Sequence, residues 1–221
     1  MACLHESPSE EKTLSTASIK SFSKLLEIDP KEARVYEDRG ECYLKSEDYG
    51  KAIQDFNKAI KIYSQEGQLF VGVWIYLNRA KAYKGLNDFE RAIKDYDKVI
   101  QEASKERDTF NVANAYHGQG GVYFKLGNLR QAISDYDKAI ELFPLGFSKT
   151  YFERGLAYSK LGNQKKADED MEIAAERGVK EAQEFLKSKG LWGETERERL
   201  DIWMKKQVEK QLEKDREKAR R

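Results

Sequence analysis

The stretch Tyr116 to Pro144 reads Y-H-G-Q-G-G-V-Y-F-K-L-G-N-L-R-Q-A-I-S-D-Y-D-K-A-I-E-L-F-P. Its aromatic and small residues fall at helical intervals: Tyr116, Gly120 and Tyr123 in the first half, Ala132, Tyr136 and Ala139 in the second. Those intervals place each set on one helix face. Between the halves, Leu126-Gly127-Asn128 offers a residue suited to a left-handed turn, so the stretch predicts two helices folded back on each other.

The pattern occurs four times. Tyr36, Tyr76, Tyr116 and Tyr151 open the blocks; Gly40, Ala80, Gly120 and Gly155 follow; Tyr43, Tyr83, Tyr123 and Tyr158 come next. The second halves carry Ala52, Ala92, Ala132 and Ala167, then Phe56, Tyr96, Tyr136 and Met171, then Ala59, Val99, Ala139 and Ala174. Small residues let the paired helices approach, and the aromatics fill the wedge between hairpins. One hairpin cannot cover its own apolar face, but a stack can, which predicts a quasi-one-dimensional array.

On these residues the chain resembles the tetratricopeptide repeat family. Tyr stands where the family's first aromatic is usually Trp, and the family's Leu-Gly pair reads Arg39-Gly40, Arg79-Ala80, Gln119-Gly120 and Arg154-Gly155, so the Leu is absent. The family's terminal Pro survives only as Pro144, with Ser64, Ser104 and Val179 in the other blocks. The resemblance implies an all-α, right-handed superhelical solenoid of helix-turn-helix repeats that binds proteins.

The blocks divide the chain into a disordered lead at 1–12, a solenoid at 13–190 and a charged C-terminal helix at 191–221. Within the solenoid, Ser18-Ile19, Phe22 and Leu25-Leu26 form a half-repeat at 13–30 that Pro30 stops. Repeats follow at about 33–64, 69–104, 109–144 and 148–178, with a capping helix at 179–189 that puts Val179, Ala182, Phe185 and Leu186 on one face. Inserts S-Q-E-G-Q-L-F and S-K-E-R-D-T-F stretch two steps to 40 residues, which predicts lengthened first helices in blocks two and three. The turns read S-E-D-Y, L-N-D-F, L-G-N-L and L-G-N-Q, so Glu47 stands where Asn87, Gly127 and Gly162 suit a left-handed residue.

Charged residues make up 36% of the chain, which an elongated array with much surface accommodates, and 25 aromatics at periodic places supply a core. Net charge is +1, with 40 basic and 39 acidic residues, so no overall field favours nucleic acid or an anionic membrane as partner. Cys3 and Cys42 are the only cysteines, which fits a reducing compartment, and Cys42 matches the buried slot of Ala82, Val122 and Ala157. There is no apolar run of membrane-spanning length, and the first residues lack the apolar core of a secretory signal. A cytoplasmic protein is expected unless a signal stood upstream.

The sequence holds no metal-ligand cluster and no phosphate-cradling Gly motif, and His5 and His117 belong to no nucleophile motif, so no enzyme, cofactor or metal is expected. Asp55, Asp95 and Asp135 read as a solvated repeat face. The resemblance implies a concave groove lined by the first helices, with Glu37 and Glu41, then Leu77, Asn78 and Lys81, then Asn114, His117, Gly121 and Phe124, then Lys149, Phe152, Glu153 and Leu156 facing a peptide or partner segment. Such a groove is acidic at block one and more apolar toward block four, suiting a basic end and an apolar anchor. Gly121 leaves either a pocket beside His117 or room for close helix contact. In the family, a Lys and Asn clamp grips acidic chaperone tails; here Glu37 and Glu41 occupy its block-one places and only Asn78 survives, which argues against such a tail.

The charged C-terminal helix carries a thin row of Leu200, Met204, Val208 and Leu212. It reads as a solvated helix laced by charge pairs. The alternative is a structural self-assembly protein in which Leu200, Trp203, Met204 and Val208 dock on a neighbouring copy, so the expectation is a monomer or weak homo-oligomer.

Overall fold

The computed structural model describes residues 8–65 and 72–193, together with 198, 202–205, 207–209, 212 and 216. Its ten helices with defined bounds are α1 (Pro8–Ile28), α2 (Ala33–Lys45), α3 (Tyr49–Gln65), α4 (Val73–Gly85), α5 (Phe89–Lys105), α6 (Thr109–Lys125), α7 (Leu129–Leu142), α8 (Ser148–Lys160), α9 (Gln164–Glu176) and α10 (Lys180–Ser188). The described residues beyond 193 are helical, and no strand occurs among the described residues. The chain falls into two compact units, Met1–Pro144 and Leu145–Arg221.

In the first unit each helix packs on the next, and α4 also touches α2 on one side and α6 on the other. Small residues allow these approaches. A methyl group at Gly40 would lie 2.8 Å from the Phe56 ring, and one at Gly120 would lie 2.7 Å from Tyr136. Ala80 is fully buried in the same role, and Phe56, Tyr96 and Tyr136 fill the core beside Ala52, Ala92 and Ala132. In the second unit Met171 takes the aromatic's place against Gly155, and α10 covers α9 with Ala182 and Leu186.

The turns repeat one design. Glu47, Asn87, Gly127 and Gly162 all take positive φ, near 60–77°. Asp88, Asn128 and Asn163 then cap the second helices by accepting from the backbone N–H groups of Arg91, Gln131 and Lys166. Glu47 adopts at a cost the conformation that glycine takes freely.

Three details depart from expectation. Helix α1 starts at Pro8, so 8–12 are helical; residues 1–7 lie outside the described ones. Of the two inserts, that of block three lengthens its first helix, α6, to 17 residues, whereas α4 keeps 13. In block two the extra length goes partly into the preceding helix, since α3 runs to Gln65, and partly into 66–71, outside the described residues. Finally, Cys42 is only half-buried, unlike Ala82, Val122 and Ala157 at the matching places.

Candidate binding faces

Asp55, Asp95 and Asp135, expected on a solvated repeat face, are buried, and so is Asp170 at the matching place of block four. Asp55, Asp95 and Asp170 are each at most 5% exposed and are gripped by an arginine sixteen positions earlier. Arg39 reaches both Asp55 oxygens at 2.7 and 2.8 Å, Arg79 both Asp95 oxygens at 2.7 Å, and Arg154 both Asp170 oxygens at 2.8 and 2.6 Å. Each guanidinium also lies over two tyrosines of its own helix: Tyr36 and Tyr43, Tyr76 and Tyr83, Tyr151 and Tyr158. In these three blocks the arginine that stands at the family's Leu place makes a fork-to-carboxylate pair and lies over phenol rings.

Block three breaks this design. Gln119 stands at the arginine place and donates to Asp97 at 2.7 Å instead of Asp135. Asp135, 1% exposed, accepts from Gln131 at 3.1 Å and has Lys138 at 3.7 Å, while its Oδ2 has no hydrogen-bond partner. Burial pushes its carboxyl above the ordinary value, and the Asp97 charge adds to the rise against Lys138 and Gln131.

The face of α2, α4 and α6 holds most of the expected groove residues. Glu37 is not open to a ligand: it is 6% exposed, and burial pushes its carboxyl up to about 7 despite a hydrogen bond with Tyr63 of α3. Leu77 is buried as well, at 5%. Glu41, Asn78, Asn114, His117, Gly121 and Phe124 are half-buried, and Lys81 is exposed. Glu41 pairs with Lys45 at 3.0 Å, and Lys81 donates to Asn78 at 3.1 Å. Lys81 is nevertheless closely walled by protein: burial, then the like charge of Lys84, pulls its ammonium below the ordinary value, with Glu41 opposing.

Lys84 was not among the expected residues, yet its Nζ lies 3.3 Å from where a Gly121 methyl would stand. Gly121 therefore leaves room for a lysine rather than for a tight helix crossing. His117 tilts against Tyr136, with ring centres 6.1 Å apart. The middle of this face is basic and its block-one end is less acidic than the sequence implies.

In the second unit α8 presents Lys149, exposed, with Phe152, Glu153 and Leu156 half-buried. Trp203, Met204 and Val208 are 57%, 45% and 60% exposed, and Leu200 lies outside the described residues. No cluster of three or more His, Cys, Asp or Glu suited to a metal occurs among the described residues, nor any described helix long and apolar enough to cross a membrane.

Stacked helical hairpins that carry their variable side chains on the first helices define a helical-repeat protein. Tetratricopeptide repeat models match residues 33–66, 73–144 and 148–177, more than half of the sequence, and the chain belongs to the tetratricopeptide repeat family. Among solved structures it is similar to MamA (23% identity, TM-score 0.60, covering 81% of this chain and 99% of that one). It is also similar to BtubC from P. vanneervenii (16%, 0.61, 80% and 92%) and to YrrB, described as having an unusual peptide-binding site (20%, 0.54, 75% and 79%). At these identities the likeness shows the fold. No curated protein sequence matches the chain significantly.

Proposed function

We propose that the protein is a non-enzymatic scaffold or adaptor that holds an extended segment of a partner protein on the α2, α4 and α6 face. The observation that carries this reading is the Lys81 environment: an exposed ammonium that donates to Asn78 at 3.1 Å, with the like charge of Lys84 and the carboxylate of Glu41 close enough to act on it. A carboxylate of the partner relieves the repulsion between the two lysines, and Glu41, on the neighbouring α2, suits a basic residue next to it. YrrB, a structural neighbour described as binding a peptide, supports the same use of the fold. The proposed setting is the cytoplasm, where the chain's two cysteines need form no disulfide. Nucleic acid and membrane are not proposed as partners.

The test is capture of partners from native lysate with the intact chain, with Lys81→Glu/His117→Ala, and separately with Phe152→Ala, all matched in helical circular dichroism. A partner lost by the first variant supports the reading. Identical partners for the first variant and the intact chain would overturn it. Self-assembly is the second reading, favoured by the exposure of Trp203, Met204 and Val208. It predicts a mass that rises with concentration and falls back in Trp203→Ala/Val208→Ala.

A further inference from the structure

Block three keeps the buried carboxylate of the arginine fork without the arginine. Asp135 is 1% exposed; its Oδ1 takes the Gln131 amide at 3.1 Å and the Lys138 ammonium at 3.7 Å, and its Oδ2 takes no partner among the described residues. We propose that this place is a receptor for an arginine side chain of a partner protein, which supplies from outside the guanidinium that Arg39, Arg79 and Arg154 supply from within the chain. The proposed site uses none of the residues read as the groove.

Block two gives the chemistry of the slot. There Arg79 places two nitrogens on Asp95 at 2.7 Å and the third on Asn57 at 2.6 Å. In block three Gln119 makes only the outer bond, from its Nε2 to Asp97 at 2.7 Å, and Asp135 Oδ2 is left over. Gln119 in place of an arginine and Asp97 in place of an asparagine each make the place more negative by one charge. Lys138 does not stand in for the arginine: it lies over Tyr116 at 4.6 Å as Lys98 lies over Tyr76 at 4.2 Å, and block two has Lys98 in addition to Arg79. Tyr123 stands within reach of both carboxylates, since burial, then the charge of Asp135, then that of Asp97, raises its hydroxyl above the ordinary value. Asp97 is exposed, and the arginine side chains of the other blocks keep 17–18% exposure, so a place of this kind opens to solvent. A planar guanidinium can donate to Asp135 Oδ2 and to Asp97 at once, whereas an ammonium is a point charge and a neutral donor leaves both carboxylates uncompensated.

The test uses the full chain labelled with ¹⁵N and reads the side-chain amides of Gln119 and Gln131, assigned with Gln119→Met and Gln131→Met. Gln164, whose amide donates to Asp168 at 2.7 Å in the second unit, serves as internal reference. Acetyl-Gly-Arg-Gly-amide is expected to shift the Gln119 and Gln131 resonances saturably in the millimolar range, where one anchored side chain belongs, and to leave Gln164 in place. The citrulline counterpart, with nearly the same shape and no charge, is expected to move none of them, and the lysine counterpart to bind at least about threefold more weakly. Asp97→Asn is expected to weaken arginine-peptide binding about two- to fivefold. In Gln119→Arg the chain's own guanidinium fills the slot, so Gln131 is expected to stay unmoved by the peptide, with a melting temperature no lower than that of the natural chain. Gln119 and Gln131 unmoved by the arginine peptide would overturn the proposal. So would equal shifts with citrulline, equal shifts at Gln164, which make the effect one of acidic surface in general, or equal shifts with potassium chloride, which make an inorganic cation the occupant.

Discussion

Arg79 and Asp95, sixteen positions apart, form a two-pronged pair at 2.7 Å on each prong, and the remaining Arg79 nitrogen reaches Asn57 at 2.6 Å. The pair joins α4 to α5, and the third bond joins both to α3. With Asp95 5% exposed, loss of the guanidinium leaves a carboxylate with neither water nor partner.

Arg79→Met is therefore expected to destabilise the first unit by about 3–5 kcal/mol. Arg79→Met/Asp95→Leu is expected to recover most of that loss, because the desolvated charge is gone. Chemical unfolding of the two single variants and the double variant gives the coupling energy. A double variant as unstable as Arg79→Met would contradict the account.

Gln119→Arg supplies the cation that block three lacks, between Asp97 and Asp135. A gain of about 1–3 kcal/mol is expected, since it satisfies the lone Oδ2 of Asp135 with a charged donor. Gln119→Met serves as control, and differential scanning calorimetry reads the change. No rise in melting temperature for the arginine variant would count against the proposed slot.

Glu37 makes stability depend on pH. Its folded value, about 7, lies above the ordinary 4.5, so the folded state holds a proton that the unfolded chain releases. That contribution is full below about 4.5 and is lost as pH rises toward 7, a swing on the order of 2–3 kcal/mol. Unfolding by urea at pH 5 and pH 7.5 is expected to show this fall in the natural chain and a smaller one in Glu37→Gln.

Gly118 and Gly121 lie one turn apart and differ in kind. A methyl at Gly118 would overlap the Tyr96 ring and hydroxyl in the core, whereas one at Gly121 would meet only the flexible end of Lys84 and, at 3.8 Å, the Tyr136 hydroxyl. Gly118→Ala is expected to cost about 2 kcal/mol or more, while Gly121→Ala is expected to be neutral or slightly stabilising through helix propensity. Thermal melts distinguish the two. Gly121→Ala also reduces partner binding if Lys84 uses the vacated space.

The hairpins were legible because burial imposes a period. Gly40, Gly120 and Gly155 sit against Phe56, Tyr136 and Met171 as their spacing implies. The Arg and Asp pairs were missed, although the signal was present: an arginine followed sixteen positions later by aspartate in blocks one, two and four, with glutamine at the arginine place in block three. Charge alone reads as surface, and only the partner across the hairpin reveals its burial. Glu37 was misjudged for a related reason. It matches Leu77, itself buried, but its acidic identity suggested solvent. Lys84 escaped because its place on the face follows from Gly121, whose missing side chain leaves no mark in a pattern of side chains.

The arginines divide the first unit unevenly. Arg39 ties α2 to α3 through Asp55 and to α1 through Ser23, and Arg79 does the same for α3, α4 and α5, whereas Gln119 fastens α6 only backward, to Asp97 on α5. Helix α7 meets α6 through packing around Tyr136 and the Lys138 ammonium over the Tyr116 ring, and it carries a buried carboxyl that resists ionising. Within α4 to α7, the backbone amides of α7 are therefore expected to exchange with solvent ahead of those in α4 and α5.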